Sequence, residues 1–290
     1  ARSAGVILTW DDMDLIAQTV PLLARVYPNG EADVNRFAAA GGTQLVFREL
    51  LDAGLMHDLP TIVPGGMRAF CDEPRLQDGK LAYAPGVAQS ADEDVVRPVS
   101  RAFEAQGGLR LLRGNLGRSL IKTSAVKPEY RYIEAPAVVV DDPRALNKLH
   151  AAGALPQDFV AVVRYQGPRA NGMPELHSLA PLQNQGRRVA LVTDGRLSGA
   201  SGKIPAAIHL TPEAARGGPL ARLREGDIIR LDAEAGTLEA LVDAAEWASR
   251  DIAPNTSPAA LDLGRNLFAV SRDVVTPADR GAMSISCGLP

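Results

Sequence analysis

The chain has 290 residues with 46% apolar, 22% charged and 4% aromatic residues, and a formal net charge of −3. This is enough apolar material for about two globular domains, with neither the basic block nor the aromatic set that a nucleic-acid surface needs. No run nears the roughly 18 consecutive apolar residues of a membrane span, and the opening ARSAGVILTWDD turns acidic too soon for a signal peptide.

Taken in chain order, the first part reads as helical by its periodicity. Trp10-Asp11-Asp12 caps a helix running through Met13, Ile16 and Val20 to Pro21, with acids in its first turn. Tyr27-Pro28-Asn29-Gly30 is a turn. Asp33 to Ala40 predicts a second helix closed by Gly41-Gly42, and Leu45 to Ala53 a third ending at Gly54. From Pro60 to Asp94 the pattern weakens under frequent Gly and Pro. A domain boundary is expected between 90 and 106, where helical periodicity gives way to short β-type runs.

After Gly107 the predicted strands are Leu109–Leu112, Ala137–Val140, Phe159–Arg164, Val189–Val192, Ile228–Leu231 and Leu238–Val242. Glu234-Ala235-Gly236 is the expected hairpin turn between the last two. Helices are expected at Asp142–Ala152, Pro212–Ala215 and Ala259–Val270. The pattern predicts an α/β or α+β domain with a mixed β core and helices outside.

The densest chemistry follows Val189–Val192. The chain leaves that apolar run into Thr193-Asp194-Gly195-Arg196-Leu197-Ser198 and on to Lys203, with three glycines and two serines in the eight residues from Gly195 to Gly202. Such a cluster serves close backbone approach and unusual φ/ψ rather than core packing, and it holds a hydroxyl in a fixed position. It is not a nucleotide-binding P-loop, because Leu197 stands where the first Gly belongs and Ile204 follows the Lys. No G-x-S-x-G surrounds Ser198, so a hydrolase elbow is unsupported. His57, His150, His177 and His209 lack zinc spacing. Cys71 and Cys287 form neither C-x-x-C nor a disulfide framework, which favours a reducing cytoplasm.

Four separated motifs, YPNGEADVNRFAAAGG, LRGNLGRSLIKTSAV, QGPRANGMPELH and VTDGRLSGASGKIPAAIHLTPEA, resemble the 6-phosphogluconate dehydratase branch of the dihydroxy-acid/sugar-acid dehydratase family. The resemblance implies loss of water from 6-phospho-D-gluconate to give 2-keto-3-deoxy-6-phosphogluconate, in the Entner–Doudoroff pathway. It implies a cytoplasmic homodimer that uses a 4Fe-4S iron–sulfur cluster and Mg2+. Family members are roughly double this length, and their cluster cysteines lie in an N-terminal half whose motifs are missing here. With an Ala rather than a Met at position 1, the chain reads as the C-terminal half. It would comprise the helical tail of the N-terminal α/β domain, 1–95, and a swivelling, barrel-like β/β/α domain, 96–290. By itself it is expected to be inactive, with no cluster ligands of its own. The alternatives are another sugar-acid or dihydroxy-acid dehydratase, or a non-catalytic acid-binding or assembly module.

Dehydration needs a base for a weakly acidic C2 proton and stabilisation of a poor leaving group at C3. Ser198 matches the family's base, an alkoxide whose formation depends on nearby metal charge; by residue type alone it is equally a turn serine bonding its own backbone. Glu175 matches a magnesium ligand, although an acid there also suits a helix first turn. Lys203, Arg196, Lys122 and His177 are the substrate-binding candidates. Arg164 and Arg169 are further anion-binding candidates, and all the basic residues compete with ordinary surface or ion-pairing roles. His177 and His209 flank the key motifs, where a structural, hydrogen-bonded role is the simpler reading. Asp194 is suited to orienting Arg196 or the loop.

Overall fold

The computed structural model describes residues 1–170, 172–174, 179–198, 202–256 and 265–285. It divides into two compact units, Leu15–Gly108 and a second made of Ala1–Asp14 with Leu109–Pro290. Helix α1, Trp10–Thr19, carries the chain from one to the other.

The Leu15–Gly108 unit contains α2 (Val34–Ala39) and α3 (Gly42–Asp52). Asp33 starts α2 by accepting the backbone N–H of Arg36 at 2.8 Å, the usual acidic cap. The small core gathers Ala32, Ala40, Leu45, Val95 and Val96. Where periodicity fades, the chain makes a hairpin of β1 (Asp72–Gln77) and β2 (Lys80–Pro85). Its two-residue turn is Asp78-Gly79, both at positive φ (51° and 75°), the requirement of a type I′ turn.

The larger unit is a closed eight-stranded barrel. Its strands are β3 (Leu109–Gly114), β4 (Gly117–Lys122), β5 (Tyr132–Val140), β6 (Phe159–Val163), β7 (Val189–Thr193), β8 (Ala206–Thr211), β9 (Ile228–Asp232) and β10 (Thr237–Ala240). Around the barrel they run β10-β3-β4-β8-β7-β6-β5-β9, with β9 and β10 paired to close it. Strands β5 to β8 are parallel; β4 runs antiparallel to β8, and β9 to β5. This mixed α/β barrel is the architecture that the resemblance implied.

Two-residue alternation explains why β6 and β7 are buried along their whole length. Val160, Val162, Ala190 and Val192 fill the barrel interior with Ile133, Ile229, Leu231 and Leu238. Phe159, Ala161, Val163 and Leu191 point outward, under Leu146 of α4 (Pro143–Ala151) and Leu179 and Leu182 of α5 (Leu179–Asn184). On β9, facing water, Arg230 bridges Glu134 at 2.9 Å and Glu239 at 3.6 Å.

Most sequence-predicted elements are present, several longer than expected. Four strands differ from the sequence expectation: β1 and β2, where Pro74, Gly79 and Pro85 read only as punctuation, and β4 and β8, hidden inside motif segments. The helix expected at Pro212–Ala215 is one 3-10 turn, Ala214–Arg216, because Glu213 is extended on entry. Of the helix expected at Ala259–Val270, residues 259–264 lie outside the described residues; Arg265–Phe268 is 3-10 and α6 (Ala244–Ser249) is followed in the chain by α7 at Ala269–Val274.

Candidate active site

In an open or closed α/β sheet, the loops that leave the carboxyl ends of parallel strands converge to make a site. Here those ends are Val140, Val163, Thr193 and Thr211, and the residues after them are bonded into one network. Asp194, fully buried, receives the backbone N–H of Gln166 at 2.8 Å on one oxygen and that of Ala214 at 2.9 Å on the other. Gln166 donates its amide to the carbonyl of Asp141 at 3.1 Å. Asp141 pairs with Arg164 at 2.8 Å and accepts the Thr256 hydroxyl at 2.6 Å. Glu213, 2% exposed, accepts the Arg169 backbone N–H at 3.1 Å and the Arg216 guanidinium at 3.0 Å.

Glycine makes this closeness possible. A Cβ on Gly195 would stand 2.6 Å from the Cβ of Gln166, and one on Gly172 would stand 2.4 Å from its Oε1. Gly195 therefore serves the close backbone approach that the sequence suggested for its glycine cluster, of which Gly199 lies outside the described residues.

Strand β8 carries a bulge. Arg118 pairs with Thr211 and Leu120 with Ile208, so two steps on β4 answer three on β8. The extra residue is His209, at φ 58°, a left-handed conformation that non-glycine residues hold at a cost of order 1–3 kcal/mol. Its N–H goes to the Gly195 carbonyl at 2.8 Å, and the Ser119 hydroxyl takes up the neighbouring Ile208 carbonyl at 2.7 Å. The bulge turns His209 out of the barrel wall and into a cavity of about 570 Å³. Gln166, Asp194, Gly195 and Arg196 line the same cavity from the β6 and β7 loops, and Phe268 and Arg272 line it from the C-terminal segment.

The electrostatics follow from burial. Loss of water pushes the Asp194 carboxyl up to about 6, against the pull of the Gln166 and Ala214 N–H groups, with the charge of Glu213 adding to the rise. Burial, and then the Arg196 guanidinium, push His209 down, which favours a neutral imidazole.

Of the sequence-predicted site residues, Arg196 lines the cavity and Ser198 lies two residues beyond it, exposed on the strand-exit loop. Lys203 is exposed, and its carbonyl accepts the Gln183 amide at 3.0 Å. Lys122 is not brought to this cavity. It ends β4, which runs antiparallel to β8, and so it sits toward the opposite end of the barrel, where burial pushes its ammonium down. Glu175 and His177 lie outside the described residues. Arg164 is an ion-pairing residue, and Asp194 organises backbone through the Gln166 and Ala214 N–H groups. His209, for which the sequence favoured a structural role over substrate contact, lines the cavity, and Arg272 is a charged cavity residue that sequence reasoning did not select. The position of His209 inside a quoted motif was the available signal, and Arg272 offered none.

Among the described residues no group of three or more His, Cys, Asp or Glu side chains gathers to hold a metal ion. Cys71 is buried in the Leu15–Gly108 unit, and both oxygens of Asp194 are engaged by N–H donors. The described residues do not by themselves form a cluster site or a magnesium site. No helix among them is long and apolar enough to cross a membrane.

Residues 94–282 match the family model described as Dihydroxy-acid/6-phosphogluconate dehydratase C-terminal, and residues 1–69 match its N-terminal counterpart. The chain belongs to the dihydroxy-acid/6-phosphogluconate dehydratase family. It is 52% identical to a phosphogluconate dehydratase of Pseudomonas aeruginosa over 99% of the chain and 48% of that relative. It is 48% identical to one of Escherichia coli, again over 99% of the chain and 48% of the relative. A dihydroxy-acid dehydratase of Thermus thermophilus is 36% identical over 98% of the chain and 49% of its own length. The chain thus spans about half the length of the curated relatives it matches.

Proposed function

We propose that this chain is the C-terminal part of a hydro-lyase that converts 6-phospho-D-gluconate to 2-keto-3-deoxy-6-phosphogluconate. One observation carries the reading: identity is 52% to a phosphogluconate dehydratase and 36% to a dihydroxy-acid dehydratase over nearly the whole chain. In this reading the domains divide as 1–95, the end of the N-terminal domain, and 96–290, the barrel domain. The cluster ligands come from an N-terminal half of the same protein, which works as a cytoplasmic homodimer.

The reaction breaks the C2–H and C3–O bonds, releases water, and leaves an enol that tautomerises to the ketone. The role assigned to this chain is to supply Ser198, whose oxygen takes the C2 proton, and a rigid barrel end that fixes the loop carrying it. The glycine-packed Gln166–Asp194–Ala214 network supports that role, since a base acts only when held within hydrogen-bond reach of its proton. Glu175 belongs to the same reading as a carboxylate that would help hold Mg2+, which would supply Lewis-acid stabilisation of the developing negative charge.

The test is the dehydration rate of the full-length, iron-loaded gene product on 6-phosphogluconate against 2,3-dihydroxyisovalerate. Preference for the phosphorylated sugar acid is expected. Preference for the branched acid would replace this reading with that of a dihydroxy-acid dehydratase.

A further inference from the structure

The barrel-end cavity has a roof as well as a floor, and the roof has no part in the chemistry assigned to Ser198. Phe268, Ser271, Arg272, Val275 and Ser284 of the C-terminal segment complete the lining opposite Arg196 and His209. Arg272 is half-buried on α7, and among the described residues its guanidinium forms no ion pair or hydrogen bond. Near this end of the unit Arg164 pairs with Asp141, Arg216 with Glu213 and Arg250 with Asp227, whereas half-buried Arg169 has a buried Nε that finds no hydrogen-bond partner among the described residues. A cation withdrawn from water without a counter-charge is unfavourable unless a ligand supplies one.

The remaining charges point the same way. Arg196 is close enough to the His209 imidazole to depress its protonation. The acid lining the cavity is Asp194, whose oxygens already hold two backbone N–H groups. Among the described residues the cavity lining carries two guanidiniums and one carboxylate, with the hydroxyls of Ser271 and Ser284 as neutral donors. This is a donor set for an oxyanion with several acceptor oxygens, and the planar fork of arginine is suited to a phosphate.

We infer that this cavity is the subsite for the phosphate ester of the sugar-acid substrate, with Arg272 as its principal ligand and Arg196 as the second. The inference rests on the dehydratase reading above and deepens it. It makes the C-terminal segment the element that distinguishes a phosphorylated sugar acid from an unphosphorylated one.

The experiment compares kcat/KM for 6-phosphogluconate with that for gluconate, in the full-length iron-loaded protein and in its Arg272→Ala variant. Alongside it, the binding of inorganic phosphate to the 290-residue chain is followed by calorimetry. Arg272→Ala is expected to lower the 6-phosphogluconate/gluconate ratio and the phosphate affinity by about 10-fold or more, as loss of a charged hydrogen-bond partner does. Arg272→Lys, which keeps the charge and removes the fork, falls between. Circular dichroism checks folding, and if the alanine variant does not fold, Arg272→Met and Arg272→Lys carry the comparison. Turnover of 6-phosphogluconate with an unchanged ratio and unchanged phosphate binding overturns the subsite and leaves the dehydratase reading standing. Absence of 6-phosphogluconate turnover in the wild-type protein overturns the reading, and the subsite with it.

Discussion

The carboxylate of Asp194 accepts the backbone N–H of Gln166 at 2.8 Å from a position that water does not reach. Its second oxygen does the same for Ala214, so one side chain at the end of β7 fixes the loops leaving β6 and β8. The cavity floor is therefore a backbone structure in which Asp194 joins two loops, and its geometry responds to changes at that acid.

Replacing the acid tests this directly. Asp194→Asn keeps one acceptor oxygen and turns an amide NH2 toward a backbone N–H. The lost bond and the facing donors are predicted to destabilise the chain by about 2–3 kcal/mol. Urea unfolding of the 290-residue chain measures it; a midpoint equal to the wild type's would mean that the carboxylate does not tie the loops.

The same acid gives a pH signature. Burial raises its carboxyl from 3.8 to about 6, so over that interval the native state keeps a proton that the unfolded chain has released. The stability this group contributes is full below the unfolded value, is lost as pH rises through the folded one, and is constant above it. The interval corresponds to about 3 kcal/mol at most. The unfolding free energy of the wild type minus that of Asp194→Asn is predicted to decline between about pH 4 and pH 7 and then level off. A pH-independent difference contradicts the assignment.

The bulge at His209 makes a conformational prediction. Asn tolerates the left-handed region, whereas β-branched Val is strained there. His209→Val is predicted to be less stable than His209→Asn by about 1–2 kcal/mol, read from thermal or urea midpoints. Equal stabilities would mean that the φ of 58° is not maintained in solution.

Packing gives another. A methyl at Gly195 would meet Gln166 Cβ at 2.6 Å and its carbonyl oxygen at 3.1 Å, both parts of the network itself. Gly195→Ala is predicted to lower stability by about 1–3 kcal/mol, the range for overpacking a tight site, and to weaken binding of anions in the cavity. A variant as stable as the wild type would show that the loop has room to move.

How much of this was legible in the sequence depended on which physical rule wrote each element. Strands β6 and β7 were readable because burial on both faces leaves an uninterrupted apolar run, Phe159–Val163 and Val189–Val192. The strand β8 was not. Ala207 and Leu210 both face the interior three residues apart, a spacing that a regular strand forbids and that the bulge at His209 creates. The hairpin β1–β2 carried its signal in Asp78-Gly79, but Leu76, Leu81 and Tyr83 are exposed, so no core pattern flanked the turn. At the site, Arg196 and the role of Gly195 followed from local spacing. The Asp194–Gln166 bond joins residues 28 apart, and Arg272 reaches the cavity from a segment with no motif of its own. Such juxtapositions belong to the closed barrel, and local spacing does not encode them.

The most direct test of the central claim is turnover of 6-phosphogluconate by the full-length, iron-loaded protein carrying Ser198→Ala, with cluster content and folding matched to the wild type. If the Ser198 oxygen, as its alkoxide, takes the C2 proton, kcat falls by about 10²–10⁴-fold in the alanine variant, the usual contribution of a general base, while substrate affinity changes little. Full turnover with alanine at position 198 would contradict the account.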